Sequence, residues 1–277
     1  MSKVPSITLN NGVAMPQLGF GVWQVPDDEA EQAVTTALEA GYRSIDTAAV
    51  YENETGTGRA VATSGLPRED LFITTKLWNS DQGYDSTLRA FDASLDRLGL
   101  DYADLYLIHW PMPAQDTAAD TYRAFEKILA DGRVKAIGVS NFLPEHLEQL
   151  FDKTSVVPAV NQIELHPHLQ QEASREFHAR HGIATEAWSP LGQGKGLLEV
   201  PTVVAVAHKH DRTPAQVVLR WHLQLGNVGI PKSVTPSRIR ENLDVFGFEL
   251  DADDLAALKA LNEDRRLGPD PATFNVA

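Results

Sequence analysis

Four side chains able to move or steer a proton stand at three successive turning points of this sequence. Asp46 and Tyr51 close the stretch Gly41-Tyr42-Arg43-Ser44-Ile45-Asp46-Thr47-Ala48-Ala49-Val50-Tyr51-Glu52-Asn53-Glu54. Lys76 follows Phe72-Ile73-Thr74-Thr75, and His109 follows Leu105-Tyr106-Leu107-Ile108. Each time a short apolar run gives way to polar groups. An ammonium beside a phenol favours the phenolate and lowers the phenol's pKa, and a carboxylate beside that ammonium keeps it charged and aimed. A tyrosine tuned in this way can give a proton to a carbonyl oxygen as that oxygen gains negative charge. His109 can hydrogen-bond the same oxygen and orient it. The plainer alternative is a salt bridge beside a satisfied core histidine. Three strand ends carrying such groups favour an acid–base centre.

Groups at successive strand ends converge only if the strands lie side by side and parallel, and an α/β barrel keeps its active site at the carboxyl ends of its strands. The rest of the chain has that pattern. Residues 6–9 and 13–16 flank Asn10-Asn11-Gly12, an N-terminal β-hairpin signal. Eight short apolar strand candidates follow, over 17–21, 42–45, 71–75, 105–108, 136–139, 159–163, 183–187 and 228–230. Helical patterns alternate with them: from Asp27/Asp28 to 40, then 54–64, 84–98, 118–130, from Pro144, 171–180, 214–225 and 251–261. The strands are continuously apolar, as in a parallel sheet covered on its outer face. The reading is α/β, a (β/α)8 TIM barrel forming one domain over residues 1–277, with an irregular tail from residue 262. A barrel of this kind takes about 250 residues.

Composition removes several classes of function. There is no cysteine, which excludes disulfides, thiolate metal sites and a cysteine nucleophile. The 24 basic and 38 acidic residues give a net charge of −14, against binding to nucleic acid or an anionic membrane. No signal peptide opens the chain, and no apolar run approaches the ~20 residues of a membrane helix. A cytoplasmic protein is expected.

Further polar groups cluster at the later strand ends. Ser140-Asn141 and Gln162 could hold a carboxamide, although Ser and Asn are also ordinary cap residues. Trp188-Ser189-Pro190-Leu191-Gly192-Gln193-Gly194 offers a flat indole on which a ring could stack. Ile230-Pro231-Lys232-Ser233-Val234-Thr235-Pro236-Ser237-Arg238-Ile239-Arg240-Glu241-Asn242 puts two cations where the last strand turns into a helix, the usual phosphate position of this barrel. His166-Pro167-His168 could bind zinc, but no carboxylate set completes the site, so no metal is assigned. Gly19-Phe20-Gly21 and Gly56-Thr57-Gly58 lack the third glycine of a dinucleotide fingerprint. Gly138-Val139-Ser140-Asn141-Phe142 fails the pattern of a serine-hydrolase elbow.

Together these blocks resemble the aldo-keto reductase family over essentially the whole chain. The resemblance rests on 41–54, 100–111 with 135–142, and 230–242, in the family's order. Within the family the sequence is most similar to the prokaryotic 2,5-diketo-D-gluconate and methylglyoxal reductases, through Val160-Asn161-Gln162-Ile163-Glu164-Leu165-His166-Pro167 and the 188–194 loop. The resemblance implies carbonyl reduction by NADPH, with NADH as the alternative, on a monomeric barrel. Tyr51 would be the general acid, Lys76 and Asp46 its tuning pair, and His109 the orienting group. Ser140, Asn141 and Gln162 would hold the carboxamide, Trp188 the nicotinamide, and Ser189, Leu191 and Gln193 the pyrophosphate. Lys232, Ser233, Val234 and Arg238 would take the 2′-phosphate region, and Glu241 and Asn242 the adenine. Trp23, Val50, Trp78 and Trp110 would wall the pocket of a small carbonyl substrate. Many members have Tyr in place of Trp188, and some have Arg in place of Thr235. An NADPH sensor built on the same barrel, or a metal-dependent hydrolase using His109, His166 and His168, are the competing readings.

Overall fold

The structure, a computed structural model, describes residues 4–277. It opens on an antiparallel hairpin, β1 (Ser6–Thr8) and β2 (Ala14–Pro16). Eight parallel strands follow: β3 (Phe20–Gly21), β4 (Ser44–Asp46), β5 (Phe72–Leu77), β6 (Ala103–Ile108), β7 (Val134–Ser140), β8 (Val160–Glu164), β9 (Ala184–Trp188) and β10 (Val228–Gly229). Each pairs with the next in chain order. The ring closes where Leu18 pairs in parallel with Gly229: the Gly19 N–H donates to the Gly229 carbonyl, and the Gly229 N–H to that of Gln17. Among the described residues ten helices surround it: α1 (Asp27–Ala40), α2 (Glu54–Thr63), α3 (Tyr84–Leu98), α4 (Ala118–Ala130), α5 (Pro144–Lys153), α6 (Glu172–Arg180), α7 (Pro201–Lys209), α8 (Pro214–Gln224), α9 (Pro236–Leu243) and α10 (Ala252–Lys259). This is the (β/α)8 barrel expected from the strand count.

Three details differ from the sequence reading. Lys76 lies inside β5 instead of beyond its end, so its side chain rises within the barrel wall. Helix α7 was not anticipated, because Thr-Val-Val-Ala-Val-Ala is β-branched and apolar all round, without helical periodicity. It packs against α10, where Lys209 pairs with Asp251 and Asp254. Each hairpin strand is one residue shorter at the turn than read, since the last paired positions are Thr8 and Ala14 instead of Leu9 and Val13.

Every residue of β5, β6 and β8 is buried. Strand β6 is apolar apart from Asp104, whereas β5 and β8 also carry Thr74, Thr75, Lys76, Asn161, Gln162 and Glu164, so the continuous apolarity expected of a covered parallel sheet holds only in part. One apolar cluster joins Leu9 and Met15 of the hairpin region to Leu105, Leu107, Ala136, Val160 and Val228. The hairpin thus stops the amino-terminal end of the barrel. Other clusters pack the helices on the strands, α1 and α8 with Phe20 and Ile45, and α4 with Tyr106 and Ile137. Each aliphatic side chain so buried contributes about 1.5–3 kcal/mol. With that end plugged, polar groups gather at the carboxyl ends of the strands.

Candidate active site

Asp46 ends β4, Lys76 is the penultimate residue of β5, and His109 follows β6, so three adjacent strands deliver them side by side. Tyr51 comes from the loop after β4, which is pinned at both ends. The Asn53 amide donates to the carbonyls of Val22 (2.9 Å) and Val25 (2.8 Å) and accepts from Thr47 Oγ1 (2.7 Å). The buried Glu54 carboxylate accepts from Thr75 Oγ1 (2.5 Å) and Arg97 Nε (2.7 Å). Lys76 Nζ, fully buried, donates to Asp46 Oδ1 at 2.6 Å, to the Thr47 carbonyl at 3.0 Å and to Tyr51 Oη at 3.4 Å. All three ammonium hydrogens therefore have acceptors. The His109 ring meets Tyr51 edge to face at 5.7 Å and Trp78 at 5.3 Å.

Burial sets the protonation states. It raises the Tyr51 phenol above its ordinary value; Lys76 acts in the opposite direction but does not overcome it. The net lowering expected from the ammonium is therefore corrected: Tyr51 is held protonated, and Lys76 only moderates the rise. For Lys76 burial alone would lower the ammonium, but Asp46, Tyr51 and Glu186 together hold it up and charged. Burial, helped by Lys76, pushes His109 well below the ordinary histidine range. The imidazole is neutral. Its Nδ1 is buried without a partner, which leaves Nε2 as the nitrogen able to meet a ligand.

From this centre a cleft of about 1380 Å³ runs along the carboxyl ends of the strands. Asp46, Tyr51, His109, Ser140, Asn141, Gln162, Trp188, Ser189, Leu191, Gln193, Lys232, Ser233, Arg238, Glu241 and Asn242 line it, as do Trp23, Val50, Trp78 and Trp110. Two of the residues singled out in the sequence stand apart. Lys76 lies behind the wall, and Val234 is exposed at 47% and does not line the cleft. Asn141 is the joint of the middle section: its amide donates to the His109 carbonyl (3.0 Å) and to Ser140 Oγ (3.1 Å), and accepts from Trp188 Nε1 (2.8 Å). Ser140 Oγ donates to the Gln162 carbonyl at 2.8 Å. Asn141, Ser189 and Gln193 all have positive φ (64°, 51° and 54°), backbone strain of the sort that gathers at ligand sites. Arg97, Arg212 and Lys209 are paired with acids, whereas Lys232 and Arg238 at the far end have no acidic partner among the described residues.

Some residues on or beneath the cleft were missed in the sequence. Glu186 is buried under Gln162, and Lys195 joins the 188–194 loop in the wall. Glu164 accepts the Leu267 N–H (2.6 Å) and the Gly268 N–H (3.0 Å), fastening the tail across the mouth. A Cβ on Gly268 would lie 2.5 Å from the Trp188 ring, so only glycine allows that approach. Farther along, Phe274 packs on Trp110 at 4.4 Å, and Asn79 Nδ2 donates to the Val276 carbonyl at 2.6 Å. Strand alternation could have found Glu186, two residues before Trp188 and on the same face; nothing local marks the tail contacts. His166 is held by Glu164 (3.0 Å) and His168 by Arg265 (2.6 Å). Among the described residues no three His, Cys, Asp or Glu side chains converge as metal ligands.

The family profile described as "Aldo/keto reductase family" matches residues 15–263. The chain belongs to the aldo/keto reductase family. This aldo/keto reductase is 61% identical over 271 residues to an aldo-keto reductase of Mycolicibacterium smegmatis, covering 98% of each chain. It is 51% identical over 275 residues to the methylglyoxal reductase DkgA of Yersinia pestis, covering 99% of each. Among solved structures, a Gox0644 mutant crystallised in complex with NADPH matches with a TM-score of 0.94 at 52% identity, covering 99% of both chains. Family membership makes the protein an oxidoreductase. No helix of the described residues is long and apolar enough to cross a membrane.

Proposed function

We propose that this aldo/keto reductase uses NADPH to reduce small aldehydes and ketones to alcohols, with Tyr51 as the general acid. Methylglyoxal, which a relative's name gives, and 2,5-diketo-D-gluconate, which the sequence resemblance gives, are the first substrates to try in the pocket walled by Trp23, Val50, Trp78 and Trp110. The observation that carries the reading is one cleft with a buried Asp46–Lys76–Tyr51 chain at one end and the unpaired Lys232 and Arg238 at the other. A dinucleotide phosphate fits its donor set: the exposed part of Trp188 for a ring, the free Gln162 oxygen for an amide, and the two cations for a phosphate.

Bound NADPH supplies the hydride. This chain's residues place the carbonyl and manage the proton. Neutral His109 presents Nε2–H to the substrate oxygen and holds the carbon towards the Trp188 side of the cleft. Tyr51 Oη donates its proton to that oxygen as negative charge builds, the step worth about 10²–10⁴ in rate. The phenolate left behind forms 3.4 Å from the Lys76 ammonium, so its charge arises beside a cation already in place. Asp46 keeps the ammonium charged while the site is empty. Trp78 and Trp110 keep water from the oxygen.

Tyr51→Phe is expected to lower turnover of methylglyoxal by two to four powers of ten, or roughly the worth of a general acid. Its NADPH dissociation constant, measured separately by fluorescence titration, should stay at the wild-type value. Turnover close to wild type would remove Tyr51 from the mechanism. Tight NADPH binding without oxidation on any aldehyde or ketone would turn the reading towards a sensor.

A further inference from the structure

One nitrogen beneath the cleft serves two buried acids. Gln162 Nε2 lies 2.8 Å from Asp46 Oδ2 and 2.8 Å from Glu186 Oε2. Asp46, paired with the Lys76 ammonium, is a carboxylate that only accepts, so the atom facing it is the amide nitrogen. The second N–H goes to Oε2 of Glu186, a side chain that accepts through its carbonyl oxygen even when protonated, so both N–H bonds are spent. Oε1 has no protein donor among the described residues, and Gln162 lines the cleft near Trp188. The side chain can therefore offer a ligand an acceptor and nothing else.

Glu186 has no other evident task. It faces Gln162 across the β8–β9 pairing, where the two residues are register partners, and is 1% exposed. It forms no ion pair of its own, since Lys76 gives its bond to Asp46. Burial and then Asp46 push its carboxyl up to about 8, against the pull of the Gln162 N–H and Lys76. An acid buried without a cation is costly to keep, and an apolar side chain would fill the same space. The single hydrogen bond from Gln162 is what an apolar side chain could not accept.

We propose that Glu186 is a positioning residue of the cofactor site: together with Asp46 it locks the Gln162 amide so that Oε1 takes the N–H of the nicotinamide carboxamide. This rests on the cleft being the NADPH site. With Glu186 gone, one amide hydrogen loses its acceptor and the amide can turn about its remaining bond to Asp46. The oxygen then no longer faces the ring. Gln162 thereby becomes a discriminator between a carboxamide and a group of similar size without an N–H.

Reduced NADP and its 3-acetylpyridine analogue, in which a methyl replaces the amide nitrogen, separate this role from a structural one. Each is titrated against wild type, Glu186→Leu and Glu186→Gln by quenching of tryptophan fluorescence, with melting curves run alongside. Wild type should favour the carboxamide by about tenfold, the factor of one hydrogen bond. In Glu186→Leu the NADPH dissociation constant should rise by about that factor while the analogue's stays put. Glu186→Gln, whose side-chain carbonyl accepts the same Gln162 N–H, should keep the preference. Loss of affinity for both ligands equally, or a preference surviving in Glu186→Leu, would overturn the proposal. If Glu186→Leu does not fold, Gln162→Leu must abolish the preference, and its persistence there would be equally fatal. Wild type binding neither ligand would instead refute the NADPH reading, and the role of Glu186 with it.

Discussion

At the scale of the residue, the centre is an ammonium with no access to water and three committed bonds. Lys76 is fully buried and Asp46 is 3% exposed, so their attraction acts where screening is weak. Removing one partner from such a pair leaves the other as an uncompensated buried charge, at a cost of about 3–5 kcal/mol. Lys76→Met, close in length, should therefore lower unfolding free energy by that amount in urea titration and lower turnover as well. A urea midpoint equal to wild type would mean that the pair adds nothing to the fold. The types and spacing of Asp46, Tyr51, Lys76 and His109 were legible in the sequence because short polar strand ends betray themselves. The sense in which Tyr51 is tuned was not. Its outcome is a contest between burial and Lys76, and burial is a property of the folded chain.

Among the elements, α2 decides how firmly the Tyr51 loop is held. Asn53 and Glu54 tie its start to the backbone after β3 and to β5, and its glycines set it flush against its neighbours. A Cβ on Gly56 would lie 2.2 Å from the Asp27 carbonyl oxygen, and one on Gly58 would lie 2.1 Å from that of Leu98. Both obstacles are backbone, so a helix would have to move. The Gly-Thr-Gly that falls short of a dinucleotide fingerprint thus has a packing reason at the ends of α1 and α3. Gly58→Ala should destabilise by about 3 kcal/mol, the upper range of overpacking, which lowers the melting temperature by roughly 6–12 °C. Calorimetry on the variant checks this, and a melting temperature unchanged within 2 °C, about half a kcal/mol, would mean that α2 has slack. Element types were mostly legible from apolar period and from Pro at helix starts. Helix α7 was not, since an apolar Val/Ala run looks the same buried in either conformation.

Across the whole molecule, four buried histidines are pushed towards the neutral form: His109 well below the ordinary range, His168 lowered, His178 lowered to about 4 and His222 to about 3. Burial is the leading cause for each. Their folded pKa values lie below the unfolded value of about 6.5, so the stability they contribute is present above that pH and is lost as pH falls through it. Glu186 has the opposite sign, since its folded pKa is raised; its contribution is present at low pH and lost as pH rises towards about 8. As pH falls from about 6 to 5 the unfolded chain takes up these histidine protons more readily than the folded chain does, while the folded chain already holds the one on Glu186. The histidines outnumber Glu186, so stability falls as the solution is acidified below about pH 6.5, each excess proton bound by the unfolded chain being worth about 1.4 kcal/mol per pH unit. Urea unfolding at pH 7, 6 and 5 should show that slope, and a flat profile would mean that these histidines charge in place.

The sequence by itself determined the barrel, the grouping of Asp46, Tyr51, Lys76 and His109, and the two cations at the far end of the cleft, because each is written in short runs. A parallel strand buried on both faces is continuously apolar, and a strand end that turns polar announces a site. What the tertiary structure alone decided lies in contacts between distant positions. Glu164 reaches Leu267 and Gly268 across more than a hundred residues, and Gln162 joins Glu186 and Asp46 from separate strands. Alternation along β9 places Glu186 on the face of Trp188, but nothing local to Glu164 or Glu186 names its partners. Closing the sheet into a ring turned their side chains inward, and burial there gave each carboxylate its partners and its protonation.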